Sequence, residues 1–243
     1  MMSIPSPFDF LYDIPRVDFC AEGLHYLPCV RYARENPRQY MDCIFKDGLN
    51  QYPVLIWVHG GGWGDEYNTP CYRPEPALLE LADRGWFIAC IEYRLAQHGA
   101  FPVPMLDCQK AVAWLRENAD RFRLDPGLFA MWGESAGAHL ACMVGANYNH
   151  MENADVQAIV SWYCPSDLAS EIDSHPDPAE ESFYTDFLGG EWLERHEEEE
   201  SVALLRYAHS RGINIVDCSC EDRCPFGVKI ADRMTRTVDL FGF

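Results

Sequence analysis

Short apolar runs and helix-period runs take turns along this chain. Residues 54–58 (VLIWV), 86–93 (WFIACIEY), 128–132 (LFAMW), 158–163 (AIVSWY) and 213–216 (INIV) are apolar stretches of strand length. A run without polar alternation is expected where both faces of a strand are covered. Between them, residues 75–85 (EPALLELADRG) open near a proline and stop at Gly85, as a helix does. Residues 104–118 (PMLDCQKAVAWLREN) put Cys108, Ala111, Val112 and Leu115 on one helical face. Residues 135–147 and 227–238 read as two further helices. This alternation predicts an α/β fold built on a mainly parallel, doubly wound sheet with helices on both faces.

Three stretches depart from the rhythm. Residues 40–45 (YMDCIF) alternate as an edge strand would. Residues 1–40 are rich in Pro, Tyr and Phe without periodicity, and are expected to form an N-terminal arm packed on the domain. Residues 165–200 carry Pro165, Pro176, Pro178 and four consecutive glutamates at 197–200. They read as a solvated acidic loop and helix face, with a cap-like lid over a site as the functional alternative. A length of 243 residues suits a single domain spanning 1–243.

Charge and cysteine usage narrow the function classes. The formal net charge is −19, from 19 Lys and Arg against 38 Asp and Glu. Such a surface repels phosphate backbones and anionic lipid, so neither nucleic acid nor membrane is an expected partner. The first residues lack a basic segment followed by an apolar run, and no stretch approaches the roughly 18 apolar residues of a membrane span. Eleven cysteines without a secretory signal read as reduced thiols in the cytoplasm. Cys218, Cys220 and Cys224 have C-x-C-x3-C spacing without a second ligand pair, so no metal is expected there.

The candidate chemistry lies at strand ends. Gly133-Glu134-Ser135-Ala136-Gly137 is a G-x-S-x-G stretch between an apolar run and a helical run. In that context the glycines permit a tight turn that lifts a serine hydroxyl clear of the strand end. The helix N-terminus below it favours negative charge. Residues 59–63 (HGGGW) follow the first buried strand, and a glycine run lets backbone N–H groups approach a developing oxyanion. The amides of Gly61, Gly62 and Ala136 are the expected donors. Trp63 and Glu134 are expected at the substrate pocket.

HGGGW, IEYRLA (91–96), FPVPMLDCQKAVAWLREN (101–118) and WGESAGAHLA (132–141) together resemble the hormone-sensitive-lipase-like esterases of the α/β-hydrolase superfamily. The resemblance is to the acetyl-xylan and feruloyl esterase-like members, near the kynurenine formamidases. It covers roughly residues 35–168 and fades beyond. It implies that Ser135 is the nucleophile of a carboxylic-ester hydrolase and that the HGGGW glycines form the oxyanion hole. It also implies a small-molecule ester substrate, no cofactor, and supporting roles for Tyr93, Arg94, Leu95, Asp107 and Asp167. His59 opens the oxyanion motif and is not the base. Ala138 stands where many members carry a further glycine.

A serine needs a base, and the base an acid to orient it. The resemblance places the acid in residues 217–225 (DCSCEDRCP), at Glu221 with Asp222 as its neighbour alternative. The family's histidine would follow one more strand, and no histidine follows His209. Three readings stay open: a truncated or rearranged hydrolase lacking the last strand, a base supplied by His209 or His196, or a non-catalytic protein that binds ligands or a partner. A missing last strand would expose a sheet edge through which copies could pair.

Overall fold

The computed structural model describes residues 23–66, 76–146, 150–166, 168 and 186–188, and the backbone of 214–217. Seven strands form one sheet in the order β1-β2-β4-β3-β5-β6-β7. They are β1 (Leu24–Arg31), β2 (Tyr40–Lys46), β3 (Tyr52–Val58), β4 (Phe87–Ile91), β5 (Leu124–Glu134), β6 (Ala158–Trp162) and β7 (Asn214–Asp217). β1 and β2 run antiparallel to each other, β2 is antiparallel to β4, and every pair from β4 to β7 is parallel.

The continuous apolar runs became strands because the sheet is covered on both faces. On one face Val54, Ile56, Val58, Ala89 and Met131 pack with Met105, Cys108, Ala111 and Val112 of α2 (Val103–Glu117) and Leu140 of α4 (Ala136–Gly145). On the other, Leu55, Trp57, Ile88 and Trp132 pack with Leu78 and Ala82 of α1 (Pro76–Asp83). The helical face expected at Cys108, Ala111, Val112 and Leu115 is fully buried. A short α3 (Ala119–Phe122) links α2 to β5.

Two expectations near the N-terminus are corrected. β2 is an interior strand, paired on one side with β4 and on the other with β1. Within the expected arm, β1 is a strand whose periodicity is broken by a register shift between Leu27 and Val30. Cys29 sits there at φ 56°, and the Asp42 carboxylate accepts its N–H at 2.7 Å and the Tyr26 hydroxyl at 2.7 Å. A bulge of this kind shifts the in–out alternation by one residue, which hides the strand in sequence.

Strand order sets the place of the site. The chain steps from β3 to β4, then crosses back over β3 to lay β5 on its other side. The crevice beyond the C-terminal ends of β3 and β5 is therefore a topological switch point, where open α/β sheets bind ligands. The helix of 227–238, the metal-like cysteines and Asp167 lie outside the described residues.

Candidate active site

Val58 and Gly133 stand in register on neighbouring strands, so the loops that follow them meet. Ser135 follows the last residue of β5 and caps α4 with φ 50° and ψ −124°, a conformation that costs a non-glycine residue energy. It is held there from two sides: the Ser135 N–H donates to Trp162 O at 2.9 Å, and the His139 N–H donates to Ser135 O at 3.1 Å. Both flanking glycines are sterically required. A Cβ on Gly133 would lie 2.3 Å from Gly137 O, and one on Gly137 would lie 2.2 Å from Val58 O. The helix thus starts in contact with the end of β3, leaving the serine at the crevice.

The HGGGW loop runs over this turn. A Cβ on Gly60 would lie 3.2 Å from Ser135 Cβ. Gly61 has φ 106°, where a side chain would be strained. Its carbonyl accepts the N–H groups of Gly64 at 3.1 Å and Asp65 at 2.9 Å, which closes the loop. Among the described residues, nothing accepts the N–H of Gly61, Gly62 or Ala136.

Trp63 is 1% exposed. Its carbonyl accepts the Ala96 N–H at 2.8 Å, and its indole stacks on Phe187 with centroids 4.2 Å apart. Trp63 therefore packs behind the loop rather than presenting an open face. Glu134 is half-buried and accepts a hydrogen bond from the Tyr163 hydroxyl. Behind the loop, Asp107 takes a bidentate pair from Arg94, at 2.8 and 2.7 Å, and a hydrogen bond from Gln39 Nε2 at 2.8 Å. Burial raises the Tyr93 phenol well above its usual value, so it remains a donor, to His59 O at 3.0 Å.

The described histidines are His25, His59, His98, His139 and His150, and among the described residues no imidazole ring is hydrogen-bonded to the Ser135 side chain. His139 is edge-on to Trp63 and Phe187, and its Nδ1 is sealed from solvent without a partner. Burial lowers its pKa to about 4, so it is neutral at ordinary pH. Glu221, Asp222, His175, His196 and His209 lie outside the described residues. Asp217 pairs in register with Ser161, which is itself level with Gly133. The chain therefore leaves β7 at the same edge of the sheet as Ser135. Among the described residues no group of His, Cys, Asp or Glu could hold a metal, and no helix is long and apolar enough to cross a membrane.

Residues 41–216 match the protein-family model BD-FAE. The chain is 35% identical over 117 residues to Esterase LipC of Mycobacterium tuberculosis, covering 47% of this chain and 28% of that protein. It is 33% identical over 131 residues to Esterase LipQ of the same organism, covering 51% and 31%. The chain thus spans about a third of the length of the curated relatives it matches. Esterase B from Lactobacillus rhamnosis superposes with a TM-score of 0.62 at 18% identity, over 96% of this chain and 91% of that one. At that identity the likeness is one of fold, and the fold is that of the α/β-hydrolases.

Proposed function

Because the chain belongs to the BD-FAE family, we propose that it hydrolyses carboxylic esters of small acyl or aryl groups through Ser135 and an acyl-enzyme. The observation that carries this reading is the φ 50° serine at the end of β5, with the HGGGW glycines against it. Backbone energy is spent there on exposing one hydroxyl to the switch-point crevice. Ser135 Oγ would attack the ester carbonyl while its proton passes to a base. The N–H groups of Gly61, Gly62 and Ala136 would hold the oxyanion. The alcohol leaves with the proton, and water then releases the acid and frees the serine.

The remaining assignments rest on where the chain goes. Glu221, with Asp222 as alternative, comes a few residues after Asp217, the end of β7, which is level with Ser161. The base within this chain is His196 or His209. His209 lies five residues before Asn214, which starts β7 at the opposite end of the sheet. Replacing His196 and His209 in turn decides between them. Glu134, hydrogen-bonded by Tyr163, borders the pocket, and Trp63 backs it. A reducing, cytoplasmic setting is supported by the free thiols of Cys43, Cys90 and Cys108 inside the core. β1 and β7 are the outer strands of the described sheet, and self-association would run through such an edge.

A second reading is a protein of the same fold that binds acyl ligands without turnover. It is favoured by one fact: no described imidazole ring is hydrogen-bonded to the Ser135 side chain. Hydrolysis of p-nitrophenyl acetate, beside Ser135→Ala, separates the two. Turnover and fluorophosphonate labelling that vanish together in the variant support hydrolysis. Equal background rates and no labelling support binding alone.

A further inference from the structure

Resting on that reading, we propose that Glu92 is a positioning residue for the oxyanion loop and acts through His59. The two residues follow neighbouring parallel strands whose last residues, Val58 and Ile91, are in register. They therefore stand side by side at one level, 2% and 1% exposed. Each is held. Tyr32 Oη donates to Glu92 O at 2.7 Å, while Arg38 Nε and the Tyr93 N–H donate to Glu92 Oε1 at 3.0 and 3.3 Å. The His59 ring stacks on Tyr93 with centroids 4.6 Å apart, and Tyr93 Oη donates to His59 O at 3.0 Å.

The ring's own contacts define its protons. Nδ1 lies 2.8 Å from Gly60 O, and a carbonyl only accepts, so Nδ1 carries a hydrogen. Nε2 lies 3.4 Å from Glu92 Oε1 and has no hydrogen-bond partner. The two atoms thus approach closely in a buried site, where a polar edge tolerates few other neighbours. Glu92 thus borders the side of the ring opposite the one that grips Gly60.

The grip on Gly60 O orients a catalytic donor. A trans peptide is planar, with its C=O and N–H pointing in opposite directions. Holding Gly60 O toward the His59 ring turns the N–H of Gly61 away from that ring, on a loop that lies against Ser135. Gly61 is flanked by glycines and could otherwise rotate this peptide at little cost. Glu92 touches neither substrate nor nucleophile, and its effect is on where one oxyanion donor points.

The test compares the full chain with Glu92→Gln, which can still donate to Nε2 and accept from Arg38, and with Arg38→Met/Glu92→Leu. The double variant removes both buried charges, so neither is left unpaired. The expected result is kcat lowered at least about tenfold in the double variant with KM within about twofold, and near-normal kcat in Glu92→Gln. In ¹⁵N-edited spectra the His59 Nδ1–H and Gly61 amide resonances should persist in Glu92→Gln. In the double variant both should shift or be lost to exchange, while circular dichroism stays native. A folded double variant with unchanged kcat and both resonances in place overturns the proposal. If the parent chain itself has no turnover, the ester reading fails and the two resonances alone decide the role of Glu92.

Discussion

Trp63 and Phe187 lie ring on ring, with centroids 4.2 Å apart and planes 14° from parallel. One residue closes the HGGGW segment and the other belongs to the stretch of 165–200 that interrupts the strand–helix rhythm. The Phe101 N–H also donates to Phe187 O at 2.6 Å. Residues 186–188 are therefore packed against the back of the HGGGW loop, and Phe187 is wholly buried.

Phe187→Ala should be costly for that reason. Removing a buried ring that faces Trp63, Phe101 and His139 leaves a cavity and should lower stability by about 3–5 kcal/mol. Phe187→Leu, which refills much of the volume, should recover at least half. Urea unfolding midpoints of the three chains check this, and equal midpoints would mean the stack carries no load.

Ser135→Gly should stabilise the fold while removing the proposed nucleophile. Glycine adopts φ 50°, ψ −124° without the penalty that serine pays. A gain of about 1 kcal/mol over the parent chain is expected from denaturant unfolding. Ser135→Ala, which keeps the strain, should show no such gain. A loss on replacing serine by glycine would mean that the turn is not strained.

Much of this arrangement was legible in sequence, and the parts that were not share a cause. β3, β4 and β5 were plain because burial on both faces leaves an unbroken apolar run. The serine turn was plain because its flanking glycines answer local contacts, Gly133 with Gly137 and Gly137 with Val58. β1 was hidden because the bulge at Cys29 is filled by a carboxylate from another strand. The pairing of His59 with Glu92 was hidden too, since it exists only because β4 lies beside β3. Trp63 looked like a pocket wall because sequence did not reveal that Phe187 would cover it. The acid and base candidates Glu221, Asp222, His196 and His209 lie outside the described residues.

Gly137→Ala should be more damaging than an ordinary helix substitution, although alanine is the better helix former. The new Cβ would meet Val58 O at 2.2 Å and His59 O at 2.4 Å, and both are backbone atoms at the base of the HGGGW loop. Relief requires moving α4 off β3. A loss of at least about 3 kcal/mol, or no soluble chain, is expected, whereas Ala138→Gly should cost about 1 kcal/mol. Soluble yield and denaturant midpoints read both outcomes. A stable Gly137→Ala chain would show that the helix and strand can separate without loss.

His139 should make the protein acid-sensitive in a defined window. Its folded pKa is lowered to about 4, by burial, against roughly 6.5 for an unfolded histidine. Between those values the unfolded chain binds a proton that the folded chain does not, so stability rises with pH there. The contribution is complete above about pH 6.5 and is lost as pH falls toward 4. From about pH 7.5 to about pH 5.5 the loss from this one ring should be on the order of 1 kcal/mol, discounted because the ring is half-buried. His139→Phe removes the titrating group and keeps an aromatic ring beside Trp63 and Phe187. Its stability should fall less over the same interval. Working no lower than about pH 5.5 keeps the chain above its sequence pI of 4.6, so self-association does not mask the effect. Urea unfolding of both chains at the two pH values gives the difference directly. An equal loss in both would show that His139 takes up its proton as readily in the folded state as in the unfolded one.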